Sequence, residues 1–201
     1  MLSRSPAHPT GFIEPCLPTP SRTVPDGSRW AFEVKHDGYR FIARRDGNRV
    51  RVFSRDGKDW SNKVPAIVDA LRALPVTSAT LDGEGVLSVA HRAGPHAAVP
   101  APPSCSPLTC SSSMGRTRRH PWEIRRATLT GLLRKAGPGV RLSEHVDGDG
   151  ETIFRHACAL GAEGIVAKRR DRPYRSGRCA DWIKVRNPSA PAATRIMEWD
   201  R

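Results

Sequence analysis

Apolar and polar residues alternate through Arg49-Val50-Arg51-Val52-Phe53, the mark of a strand with one face inward. Arg29–Lys35 and Tyr39–Arg45 also read as strands, with Asp37-Gly38 and Asp46-Gly47-Asn48 as the turns between them. Connections this short predict an antiparallel meander of the three. The period then changes. Val64, Ile67, Val68, Leu71 and Leu74 recur at spacings of three and four, which predicts a helix over residues 62–74. Pro65 fits its first turn and Pro75 ends it. Ala79–Val89 is strand-like again, but it carries two carboxylates, Asp82 and Glu84. Buried, they need a partner or a metal; their spacing of two would equally let both face solvent.

Trp122, Leu129, Leu132 and Leu133 mark a second helix, begun by Pro121 and stopped by Gly137. Val140–Ser143 is a short strand, Asp147–Asp149 a turn, and residues 151–160 a third helix with Gly161 at its C-cap. Glu163–Lys168 reads as a buried strand flanked by Glu and Lys. In Asp181–Pro188, alternation puts Lys184 and Arg186 on one face and Ile183 and Val185 on the other. Two cations on one strand face make a phosphate clamp or an exposed edge.

Two stretches keep neither period. Residues 1–28 are rich in proline and read as an extended arm laid over the domain, anchored by Phe12, Ile13 and Leu17. Residues 90–117 carry Pro95, Pro100, Pro102, Pro103 and Pro107 and the run Cys110-Ser111-Ser112-Ser113, which argues against a packed element. The tail Ser189–Arg201 looks loosely ordered.

Composition sharpens this picture. At 201 residues and 38% hydrophobic, the chain can bury one sizeable core or two small ones. Lys and Arg number 33 against 20 for Asp and Glu, a net charge of +13, which points to a polyanionic partner, nucleic acid first. Arg from a GC-rich genome would explain the abundance without a function. The five cysteines form no C-x-x-C pair, so no zinc site is expected, and their irregular spacing suits a reducing cytoplasm. No run approaches the ~20 apolar residues of a membrane span. Met1–Pro9, with Arg4 and Pro6, does not read as a signal peptide.

The candidate chemistry centres on Glu33-Val34-Lys35-His36-Asp37-Gly38-Tyr39-Arg40, which reads Lys-x-Asp-Gly-x-Arg at a strand end. A lysine there can be aimed at a phosphate. An amine attacks only when unprotonated, and nearby cations favour that form. Alone, the octet is also a lysine at a hairpin. Ser54-Arg55-Asp56-Gly57-Lys58 could send Arg55 into a cleft or be a charged loop, and Arg169–Arg178 could face phosphate or solvent.

Lys35–Arg40, Ser54–Gly57, Asp82–Glu84, Glu163–Lys168 and Lys184–Arg186, in this order, resemble the motifs of the nucleotidyltransferase (adenylation) domain of ATP-dependent DNA ligases. Ser-Arg-Asp-Gly-Lys-Asp-Trp and Arg-Pro-Tyr-Arg-Ser-Gly-Arg look most like the ligase part of bacterial end-joining enzymes. The likeness covers about residues 10–89 and 119–190. It implies an α+β fold of two antiparallel β-sheets flanked by helices, ATP-grasp-like, with a nucleotide cleft between them. It implies that Lys35 attacks the α-phosphate of ATP to form lysyl-AMP, and that Glu33 lies on the adenine side. Arg40 and Arg55 would contact ribose or phosphates and later the DNA 5′-phosphate. Glu84 and Glu163 would touch ribose or bind Mg²⁺ (or Mn²⁺), and Lys184 and Arg186 would neutralise the α-phosphate. Arg186 stands where the family usually has lysine.

The implied substrate is nicked or broken double-stranded DNA in repair or recombination, in the bacterial cytoplasm and associated with the nucleoid. Three departures matter. The family's Phe-Asp-Leu-Leu-like strand, with its adenine-stacking aromatic, has no match in Pro107–Gly115. Leu-Thr-Cys-Ser-Ser-Ser-Met-Gly is what such a codon run gives one base out of frame, so residues 90–117 read as a frameshifted or damaged insert. The thirteen residues after Pro188 are too few for the OB-fold domain that usually follows, so an OB-fold or end-joining protein would be a partner. An N-terminal DNA-binding domain is not expected ahead of the motifs either. The competing functions are a catalytically dead remnant that at most binds DNA, and an RNA ligase or GTP-using capping-type nucleotidyltransferase.

Overall fold

The computed structural model describes residues 11–85, 87–88, 104–105, 108–114 and 116–190. It is α+β, with two five-stranded sheets. One sheet runs β1 (Cys16–Ser21), β12 (Gly177–Arg186), β11 (Gly164–Arg169), β2 (Trp30–Val34), β10 (His145–Val146). The other runs β4 (Arg49–Ser54), β3 (Tyr39–Asp46), β5 (Ser78–Gly85), β8 (Leu108–Met114), β9 (Val140–Leu142). A two-residue ribbon pairs β6 (Leu87–Ser88) with β7 (Ser104–Cys105).

Three apolar clusters explain the layering. Phe41, Ala43 and Val52 face Ile67 and Leu71 of α1 (Pro65–Arg72) and Leu129 of α2 (Trp122–Leu133). On the other sheet, Phe32, Ile165, Ala167 and Val185 face Ala157 of α3 (Gly150–Ala159). Between the sheets, Ile42 and Phe53 meet Cys16, Tyr174, Cys179 and Trp182. Strand alternation is therefore used on both faces: Phe41 turns to a helix and Ile42 to the opposite sheet. Each Val, Leu, Ile or Phe side chain buried this way contributes roughly 1.5–3 kcal/mol.

Four expectations need correction. The three N-terminal strands are not one meander. β3 and β4 form a hairpin, but β2 lies in the other sheet, against β11 and β10. Residues 35–38 cross between sheets. Gly38 is there for space: a Cβ would lie 2.7 Å from the Gly85 carbonyl oxygen. The helix expected over 62–74 is a 3-10 turn at Ser61–Lys63 and then α1, broken at Val64 with φ −130°. A residue before proline is pushed out of the helical region, and Pro65 does this to Val64.

The N-terminal arm is a packed strand from Cys16. β1 pairs in parallel with β12, with a bulge between Pro18 and Thr19. Its prolines are tolerated because β1 is an edge strand. Finally, the expectation of no packed element in 90–117 fails for β8, which pairs antiparallel with β5 and parallel with β9. Backbone groups of β5 need partners whatever the facing side chains are, and this segment supplies them. Residues 86, 89–103, 106–107, 115 and 191–201 lie outside the described residues, as do 1–10.

Candidate active site

Between the sheets is a cleft of about 540 Å³, and all eight expected site residues line it: Glu33, Lys35, Arg40, Arg55, Glu84, Glu163, Lys184 and Arg186. Lys35 follows β2 directly. Its N–H donates to the Gly164 carbonyl at 2.9 Å, and its Nζ lies 2.6 Å from Glu163 Oε2. The β2–β11 ladder sets this meeting, since Ile165 pairs with Val34. Gly164 permits it: with φ +142°, a Cβ there would lie 2.1 Å from the Val185 carbonyl oxygen.

Two further ion pairs are built below this lysine. Glu33 and Lys168, 4% and 2% exposed, are 2.7 Å apart on facing strands. Ser143 Oγ donates to the second Glu33 oxygen at 3.0 Å, and Lys168 Nζ stands 4.3 Å from the Trp182 ring centroid. Burial lowers the Lys168 pKa, and Glu33 opposes that shift. A buried pair of this kind seldom adds net stability, so its value lies in fixing geometry. The other pair is Arg40 with Asp82, joined by Nε–Oδ1 at 2.5 Å and Nη2–Oδ2 at 2.7 Å. Burial works against the Arg40 charge, yet Asp82, Tyr174 and Glu84 together hold its guanidinium protonated beyond the usual range.

Glu84 sits opposite Arg40 in the β3–β5 register. Burial pushes its carboxyl up to about 7, although Arg40 and Lys35 pull it down. The β12 strand is interior to its sheet, so Lys184 and Arg186 are not an exposed edge; they share the cleft face with Trp182. Burial, then Arg186 and Lys35, lower the Lys184 pKa. Arg55 reaches the cleft rim from the turn after β4 and pairs with Asp56 at 3.2 Å. Seven cations, Lys58 and Lys168 among them, thus line one cavity, an arrangement that stabilises charge on phosphate oxygens.

Sequence reading missed Ser143, Lys168, Tyr174 and Trp182 as parts of this site, and left Asp82 undecided. Lys168 had a signal, a cation closing an apolar strand. Ser143 and Tyr174 had none, because their partners, Glu33 and Asp82, are 110 and 92 residues away. Among the described residues, no group of three or more His, Cys, Asp or Glu gathers to hold a metal. Glu84 and Glu163 both line the cleft, two oxygen donors of the kind a magnesium ion would take alongside its waters.

A lysine presented between two such sheets belongs to the nucleotidyltransferase class of folds. Comparison with known proteins narrows that class. Residues 19–98 match the ATP dependent DNA ligase domain. Similar proteins include the multifunctional non-homologous end joining protein LigD of Pseudomonas aeruginosa, 33% identical over 81% of this chain and 20% of that protein. A probable DNA ligase of Beutenbergia cavernae is 35% identical over 77% of this chain and 33% of its own length. Among solved structures, the ligase domain of M. tuberculosis LigD superposes with TM-score 0.69 and 30% identity, covering 86% of this chain and 60% of that one. A mycobacterial DNA ligase D complexed with ATP and MES gives TM-score 0.69 at 28% identity, over 86% and 59%. This chain carries the nucleotidyltransferase domain of the ATP-dependent DNA ligases and is homologous to them. It spans a third or less of these two curated relatives.

Proposed function

We propose that this chain carries out the adenylation chemistry of an ATP-dependent DNA ligase in end-joining repair. The observation that carries the reading is Lys35 Nζ, held 2.6 Å from Glu163 in a cleft also lined by Arg40, Arg55, Lys184 and Arg186. Neutral Lys35 Nζ bonds to the α-phosphorus of ATP, the bond to the β-phosphate oxygen breaks, and pyrophosphate leaves. Glu163 Oε2 is placed to take the Nζ proton. The AMP then passes to the 5′-phosphate of nicked or broken duplex DNA, which frees Lys35. Attack by the 3′-hydroxyl joins the strands and releases AMP. Arg40, Arg55, Lys184 and Arg186 neutralise the phosphate charge that grows in each step. Glu84 and Glu163 would hold the magnesium or manganese ion, which supplies further charge neutralisation when bound. The proposed setting is the bacterial cytoplasm, with an OB-fold or end-joining protein as a partner on DNA.

The reading is tested by incubating the protein with ATP labelled at the α-phosphate and Mg²⁺, then separating it on a denaturing gel. Covalent label is expected, and Lys35→Ala should abolish it. Label from GTP in preference to ATP would point to the capping-type alternative. No label on folded protein would leave a remnant that at most binds DNA.

A further inference from the structure

We propose that Tyr174 is a positioning residue, whose hydroxyl fixes the Arg40 guanidinium through Asp82. The consequence for chemistry rests on the adenylation reading; the effect on Arg40 itself does not.

Asp82 is fully buried between the sheets, where a carboxylate must be hydrogen-bonded. Arg40 bonds both its oxygens, and Tyr174 Oη donates to Oδ2 at 2.8 Å. Tyr174 Oη in turn accepts the Cys16 N–H at 2.7 Å. A phenol has one proton, so with an amide donating to its oxygen that proton is committed to Asp82. Burial, reinforced by Asp82, raises the Tyr174 pKa well above its usual value and keeps it a neutral donor. The carbonyl of the same residue, Cys16, accepts Arg40 Nη2 at 3.3 Å. Arg40 is therefore held from two sides, by a carboxylate that Tyr174 steadies and by the backbone of a residue that Tyr174 also grips.

The hydroxyl is itself fixed. The Tyr174 ring meets Trp182 edge-on at 5.7 Å, and the Arg125 guanidinium lies 5.5 Å from its centroid. Phenylalanine would fill the same space, so packing alone does not call for the oxygen. Tyr174 comes from the loop before β12 and Cys16 from β1; neither lines the cleft itself.

Tyr174→Phe keeps the ring and removes the proton donor. The first measurement needs no nucleotide: exchange of the Arg40 Nε–H with water, by ¹⁵N NMR on the full chain. About tenfold faster exchange is expected in Tyr174→Phe, with a native amide spectrum, because a hydrogen bond to a charged group is lost. Unchanged exchange would overturn the proposal. The second measurement is the rate of lysyl-AMP formation in Tyr174→Phe, Arg40→Lys and the double variant. Tyr174→Phe should slow it by about tenfold and add nothing once Arg40 is changed, the sign of one coupled unit. Fully additive losses would show that Tyr174 acts elsewhere and would sink the idea. If the native chain forms no lysyl-AMP but Arg40 exchange responds, the positioning stands and the adenylation reading falls.

Discussion

Lys168 lies among apolar atoms with Glu33 as its counter-ion, and neither side chain reaches water to any extent. Lys168→Met keeps the volume and strands Glu33, so it should cost about 3–5 kcal/mol in urea unfolding. Changing both, Lys168→Met with Glu33→Gln, should recover much of that. Glu84 makes a pH prediction. Its carboxyl titrates near 7 in the folded state against about 4.5 when unfolded, because burial disfavours the charge. Between these values the unfolded chain loses the proton first. The contribution is therefore full below about 4.5 and is lost as pH rises toward 7. Thermal melts in EDTA should show Glu84→Gln gaining stability relative to the parent at pH 8 but not at pH 4. Equal shifts at both would show that Glu84 is not held protonated.

The elements were unevenly legible. β4 emerged from alternation, and α1 and α2 from their periods, because those signals are local. β1 and β8 were not, since both are strands by virtue of what they lie against. The prolines of β1 hid an edge strand, and the serines of β8 hid a strand that pairs with β5 and β9 and sends Leu108 into the core. Gly164 is where this long-range fit is tightest. Gly164→Ala meets the Val185 carbonyl and a disfavoured φ, and should cost about 3 kcal/mol, seen as a lower urea midpoint with little lysyl-AMP formed.

For the whole molecule, the net charge of +13 and the cationic cleft predict a salt-dependent grip on DNA. If four phosphates are contacted, raising salt from about 50 to 200 mM should weaken duplex binding about a hundredfold in a fluorescence titration. A flat salt response would remove the electrostatic reading. Charge by itself named the partner class, but the sequence could not say that its cations share a cavity.

The sequence by itself determined the local elements, the order of the five motifs and the candidacy of Lys35. These depend on neighbours three or four residues apart and on residue chemistry. Only the tertiary structure decided that Lys35 meets Glu163, that Asp82 is buried on Arg40 and Tyr174, and that β2 and β3 part into different sheets. An Asp-Gly step allows a hairpin or a crossing equally well. Which one forms depends on how each strand's apolar face is buried, and that depends on strands far along the chain.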